Sequence, residues 1–126
     1  MATAKDIMTT QVITISPSTT VHDAMKMLVE IEISGLIVTD EQNNVVGVLT
    51  ERDALIAYDF LQNMNAPVGD FMNKKVISVT EDTSLEEISD TLVKGDIRRV
   101  PVLRGRQVVG VISRRDLLKY ALKPHY

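Results

Sequence analysis

Residues 4–38, AKDIMTTQVITISPSTTVHDAMKMLVEIEISGLIV, can be laid over residues 68–102, VGDFMNKKVISVTEDTSLEEISDTLVKGDIRRVPV. In that register Asp6 falls on Asp70, Met8 on Met72, Val12-Ile13 on Val76-Ile77 and Leu28-Val29 on Leu92-Val93. After one residue is lost in a turn, Val45-Val46-Gly47 falls on Val108-Val109-Gly110, and Arg52-Asp53 on Arg115-Asp116. The chain is a tandem duplication. A unit this long, present only twice, points to two halves of one pseudo-symmetric body and not to an open solenoid.

Each half reads as the same series of elements. A short apolar strand, Val12 to Ile15 or Val76 to Val79, comes first. A helix follows, with Val21, Ala24, Met25, Leu28 and Val29 at helical spacing in one copy and Leu85, Ile88, Leu92 and Val93 in the other. Thr20 with Asp23, and Ser84 with Glu87, predict capping boxes at the two helix starts. Two β-branched runs come next, Leu36 to Thr39 and Val45 to Thr50, around the hairpin turn Asp40 to Asn44. Their counterparts are Val100 to Leu103 and Val108 to Ser113, with Arg104 to Gln107 between them. A last helix runs from Glu51 to about Asn63, and from Arg114 to about Leu122.

The expected organisation is therefore repeat 1 over residues 1–62, a linker at 63–67 and repeat 2 over residues 68–126, in one compact module. The fold class is α/β (α+β), with tandem β-α-β-β-α repeats packed about a pseudo-twofold axis. Two short helices cannot cover a three-stranded sheet with an apolar face. Leaving Leu28, Val29, Leu92 and Val93 in water would forfeit several kcal/mol at about 25 cal/mol per Å², so neither half is expected to fold well alone.

Composition narrows the function. With 126 residues, 44% hydrophobic and 25% charged, the chain can bury a core as one domain. It has no cysteine, which removes disulfides and thiolate metal ligation. The start, MATAKDIMTT, has no charged-then-apolar leader, and no apolar run nears the ~18 residues of a membrane span. The expectation is a cytoplasmic location away from membranes. Seventeen acidic and 14 basic residues give a net charge of −3, the wrong sign for a nucleic-acid partner. His22 and His125 have no carboxylate or second histidine at metal-ligand spacing, and no Walker loop or GxGxxG occurs. No catalytic residues, metal site or required cofactor is therefore expected.

The segments Gly47 to Asp53, GVLTERD, and Gly110 to Asp116, GVISRRD, sit where a strand turns into the last helix of each copy. The plainer reading is that Thr50 with Asp53, and Ser113 with Asp116, simply cap those helices. The alternative uses the helix N-terminus for an anion and the aspartate for ribose hydroxyls. Duplication of the constellation at equivalent positions favours the alternative.

These segments, with the DIM and DFM openings, VITI and VISV, and RRVPV at Arg98 to Val102, make the chain resemble the cystathionine-β-synthase (CBS) domain family over about Ala4 to Tyr120. In that family two repeats form one Bateman-type module. The resemblance implies clefts for AMP, ADP, ATP or an S-adenosyl derivative, a homodimer of modules, and a sensor role toward a separate regulated protein. It implies that Thr50 and Asp53 hold one ligand and Ser113 and Asp116 the other. The base pocket would come from Met72, Ile77 and Ile97 for the first, and from Met8, Ile13 and Ile33 for the second. Arg98, Arg99 and Arg115 would bring phosphate-binding charge to the Asp53 cleft, where the Asp116 cleft has only Ser34, Gly35 and Arg52. On that count the Asp53 cleft is the better site. Ile37, in place of the proline seen at Pro101, departs from the family pattern near Ser34. Two other readings stand beside this one. One is a ligand-free dimerisation platform using Leu55, Ile56, Leu117 and Leu118. The other is a nucleic-acid module built on Arg98, Arg99, Arg104, Arg106, Arg114 and Arg115.

Overall fold

The computed structural model describes residues 1–61, 64–95 and 97–124, so the expected helix end at Asn63 and the residue His125 lie outside the described residues. In chain order the elements are α1 (Ala4–Ile7), β1 (Thr14–Ile15), α2 (Val21–Ile31), β2 (Gly35–Thr39), β3 (Val45–Thr50), α3 (Glu51–Leu61), β4 (Val79–Thr80), α4 (Leu85–Val93), β5 (Arg99–Arg104), β6 (Gln107–Ser113) and α5 (Arg114–Ala121). A single 3-10 turn covers Val68–Asp70. Among the described residues no helix is long and apolar enough to cross a membrane.

Two compact units result, one of residues 13–76 and one of residues 1–12 with 77–126. They cut the chain differently from the expected boundaries at 62 and 68. The segment that opens each sequence repeat, residues 1–12 or 68–76, lies in the unit containing the other repeat's sheet.

In the unit of residues 13–76, the sheet order is β1-β2-β3, with β1 parallel and β3 antiparallel to β2. The central strand β2 is buried along its whole length, as a middle strand under a helix should be. Val21, Ala24 and Leu28 of α2 pack with Leu36, Val38 and Leu49 of the sheet, and with Ala54 and Ala57 of α3. The unit of residues 1–12 and 77–126 repeats the order as β4-β5-β6. Its core joins Ile88 and Leu92 of α4 to Val100, Val102 and Ile112 of the sheet, and to Ala4 and Ile7 of α1. Both antiparallel pairs slip register at the same place, between Val38 and Thr39 and between Val102 and Leu103. A bulge preserved in both copies is part of the fold's design.

Three expectations need correction. Val29 and Val93 are not in the apolar stripe: they are 76% and 63% exposed, while Leu28 and Leu92 are buried. Adjacent residues on a helix point about 100° apart, so only one of each pair can face the sheet. The first strands shrink to two residues each, because only Thr14-Ile15 and Val79-Thr80 find a parallel partner. The cap hydroxyls of Thr20 and Ser84 accept from the backbone N–H of Asp23 and Glu87, as expected, but the reciprocal carboxylate bond does not form. Asp23 Oδ1 lies instead 3.2 Å from His22 Nδ1. Helix α1 has no sequence signature, because four residues are too few to show a period. It is tied down by Thr3 N donating to Asp6 Oδ2 (2.9 Å) and by Ala4 N donating to the Thr83 carbonyl (2.9 Å).

Candidate functional site

Strand β3 runs without a loop into α3, and β6 into α5, so the last strand residue of each pair caps the helix. The capping pattern is complete in both copies. Thr50 N and Oγ1 both donate to Asp53 Oδ2 at 2.9 Å, and Asp53 N donates back to Thr50 Oγ1 at 3.2 Å. Ser113 N and Oγ donate to Asp116 Oδ2 at 2.8 and 3.0 Å, and Asp116 N returns to Ser113 Oγ at 3.2 Å. The plainer reading of these residues is thus realised. It uses only one oxygen of each carboxylate, however, and each aspartate stays partly exposed at a helix N-terminus.

The glycine that heads each segment has a packing reason. A Cβ on Gly47 would lie 2.5 Å from Met72 Sδ, and one on Gly110 would lie 2.5 Å from Met8 Sδ. The methionine of each DIM or DFM opening therefore lies across the strand that leads to the aspartate. Backbone bonds hold it there: Thr9 pairs with Val111 in both directions at 2.9 Å, and Asn73 with Val48 at 2.9 and 3.0 Å.

Within the unit of residues 13–76 Met72 lies against Gly47 of β3, the strand that ends at Thr50, and Ser34 and Arg52 flank the β3–α3 junction. The Ser34 carbonyl accepts from Glu51 N at 3.1 Å, which ties β2 to the start of α3. Ile33 packs on the core, whereas Ile13 is 43% exposed. In the other unit Met8 lies against Gly110 of β6, the strand that ends at Ser113, and Arg98, Arg99, Arg115 and Ile97 belong to the same unit. The Arg98 carbonyl accepts from Arg114 N at 3.1 Å, the counterpart of the Ser34 bond. Ile97 packs on the core and Ile77 is 55% exposed. Arg98 and Arg115 are exposed.

Arg99 stands apart from the other cations. It is half-buried, it sits opposite Ser113 in the β5–β6 ladder, and its Nε is buried without a hydrogen-bond partner among the described residues. Burial holds its guanidinium below the usual arginine range, and the Asp116 carboxylate works against that. The corresponding residue in the first copy is Gly35.

Two features escaped the sequence. Thr9 Oγ1 donates to Asp116 Oδ1 at 3.2 Å, a pairing over more than a hundred residues that only the Thr9–Val111 bridge creates. Arg114, read from sequence as part of a basic patch, donates from Nε and Nη2 to the Leu92 carbonyl at 3.2 and 2.9 Å and from Nε to the Ile97 carbonyl at 3.2 Å. Arg104 is also engaged, in a two-pronged pair with Glu81 at 2.8 and 3.1 Å. That pair holds the Glu81 carboxyl below the usual range.

A CBS-domain family model matches the chain twice, over residues 4–59 and 68–123. The CBS domain-containing protein YhcV of Bacillus subtilis is 34% identical to it over 118 residues, which cover 93% of this chain and 84% of YhcV. The crystal structure of CBSX2 in complex with AMP matches with a TM-score of 0.87 at 32% identity, covering 97% of each chain. The CBS domain pair of MJ0100, in complex with 5′-methylthioadenosine and S-adenosyl-L-methionine, matches with a TM-score of 0.80 at 27% identity, covering 96% of each chain.

Proposed function

The chain belongs to the CBS-domain family, and on that premise we propose that it is a non-catalytic regulatory module that binds an adenine nucleotide or an S-adenosyl compound. The observation that carries this reading is the duplicated aspartate at the head of a late helix, Asp53 and Asp116, each with only one oxygen spent on its cap. The second oxygen suits a sugar hydroxyl, and the N–H groups of the first helical turn suit a phosphate or carboxylate. CBSX2 and MJ0100 bind adenosine-containing compounds, which supports the same ligand class here. Arg98 and Arg99 are the proposed phosphate partners, since a planar guanidinium can hold two oxygens at once.

The reading assigns sensing without turnover, toward a regulated partner on another chain. It also pairs two copies of the module. In the unit containing residues 77–126, a groove of about 700 Å³ between α4 and α5 is lined by Leu85, Val93, Leu117, Leu118 and Tyr120. Val93 and Leu118 are 63% and 66% exposed, and a second copy would remove this apolar surface from water. The nucleic-acid alternative loses ground, because two of its six arginines, Arg104 and Arg114, are held by Glu81 and by the carbonyls at the end of α4.

A thermal-shift series with AMP, ADP, ATP, S-adenosylmethionine and methylthioadenosine tests the reading. A ligand at a hundred times its dissociation constant adds about 2.7 kcal/mol of stability, a rise of roughly 10 °C for a domain of this size. No shift with any of them would leave the ligand-free platform as the better account.

A further inference from the structure

The two aspartates carry the same cap but differ in their free oxygen. Asp116 Oδ1 accepts the Thr9 hydroxyl at 3.2 Å. Thr9 is fixed for this by its backbone pairing with Val111, two residues before Ser113. In the other copy the residue after the methionine is Asn73, held by the same type of backbone pairing, with Val48. Its side chain turns away: Asn73 Oδ1 accepts from Lys75 N at 2.9 Å, closing its own turn. Among the described residues Asp53 Oδ1 is left without a partner. Arg99 adds to the difference, because it places a cation in the field of Asp116, where Gly35 offers none to Asp53.

We propose that Thr9 is a specificity-determining residue that occupies the sugar-binding oxygen of Asp116, so that the chain presents one open aspartate, Asp53, and one that a ligand must first uncover. This rests on the reading of Asp53 and Asp116 as ribose acceptors. A ribose hydroxyl arriving at Asp53 adds a hydrogen bond to a charged acceptor. At Asp116 it only exchanges one hydroxyl for another, so most of that contribution is lost. The consequence is unequal sites, set by a residue far from both acids in sequence.

The experiment is calorimetric titration of AMP into the wild-type protein, Thr9→Val and Thr9→Asn. Valine keeps the volume and removes the donor, and asparagine installs the other copy's residue. In the wild type one tighter and one weaker site are expected, the tighter one lost in Asp53→Ala. In both Thr9 variants a second site is expected to tighten by about tenfold, the effect of about 1.4 kcal/mol, and to vanish when Asp116→Ala is added. Wild-type sites of equal affinity would overturn the proposal, as would Thr9 variants with unchanged or weaker second-site binding, while binding lost in Asp53→Ala would keep the ribose reading intact. Absence of AMP binding in every variant, with none for S-adenosylmethionine either, would remove both.

Discussion

Asp53 has two tasks on one side chain, and they separate by oxygen. Oδ2 holds the backbone and hydroxyl of Thr50, which closes the start of α3, and Oδ1 takes no part in that cap. A loss of ligand binding in an Asp53 variant therefore carries a stability component that must be measured apart. Asp53→Ala is expected to lower the unfolding free energy of the ligand-free protein by about 1 kcal/mol, the usual scale for a lost cap. Asp53→Asn keeps an acceptor and should lose less. Urea denaturation of the three proteins checks this, and equal midpoints for all three would show that the cap contributes nothing. These aspartates were legible in sequence because the hydroxyl and acid stand three apart in both copies. Thr9 was not, because nothing near residue 9 says which strand it will meet. The reason for Gly47 and Gly110 was hidden in the same way: the atoms that need the space belong to Met72 and Met8.

Helix ends show how far apart the two copies have moved at the level of elements. Helix α2 stops at Glu32, which takes the left-handed conformation at φ 60° and ψ 45°. Such a position is normally left to glycine, because a Cβ there meets its own backbone. The cap residue of α4, Lys94, is right-handed, and the guanidinium of Arg114 collects the Leu92 and Ile97 carbonyls. Its counterpart in the first copy is Glu51, which has no proton donor to offer there. Arg114→Ala is expected to cost about 1 kcal/mol, the range of a modest hydrogen bond, by leaving the end of α4 open. Arg114→Lys, with a point charge but no fork, should recover only part of it. Thermal unfolding followed by far-ultraviolet circular dichroism reads both, and an unchanged midpoint for Arg114→Ala would make the interaction incidental. Helical stripes, hairpins and strand order were readable because each rests on a period or a turn signal within one element. The ends of β1, β4 and α4 were not, since a two-residue strand is defined by its partner and the α4 cap by a residue beyond two further strands.

At the scale of the whole molecule, repeats in sequence and units in space are different objects. The family model matches residues 4–59 and 68–123, yet the compact units are residues 13–76 and residues 1–12 with 77–126. Duplication is visible to any comparison of the chain with itself. Exchange of the opening segments is invisible to it, because Met8 and Met72 align equally well whichever strand they cover. The exchange has a stability consequence. Ala4 and Ile7, 0% and 9% exposed, complete the core formed by Ile88, Leu92, Val100, Val102 and Ile112. A chain of residues 68–126 has the second sequence repeat in full but lacks that plug, and it leaves apolar surface worth several kcal/mol uncovered at about 25 cal/mol per Å², comparable with the whole stability of a small domain. Met1 and Tyr120 line the same shallow groove, so a short Gly/Ser linker can join residues 77–126 to residues 1–12 in permuted order. The permuted chain is expected to melt cooperatively, and residues 68–126 alone to show a broad, weak transition or none. If both melt alike, the opening segment is an ornament on the second unit, and the sequence repeat is the folding unit after all.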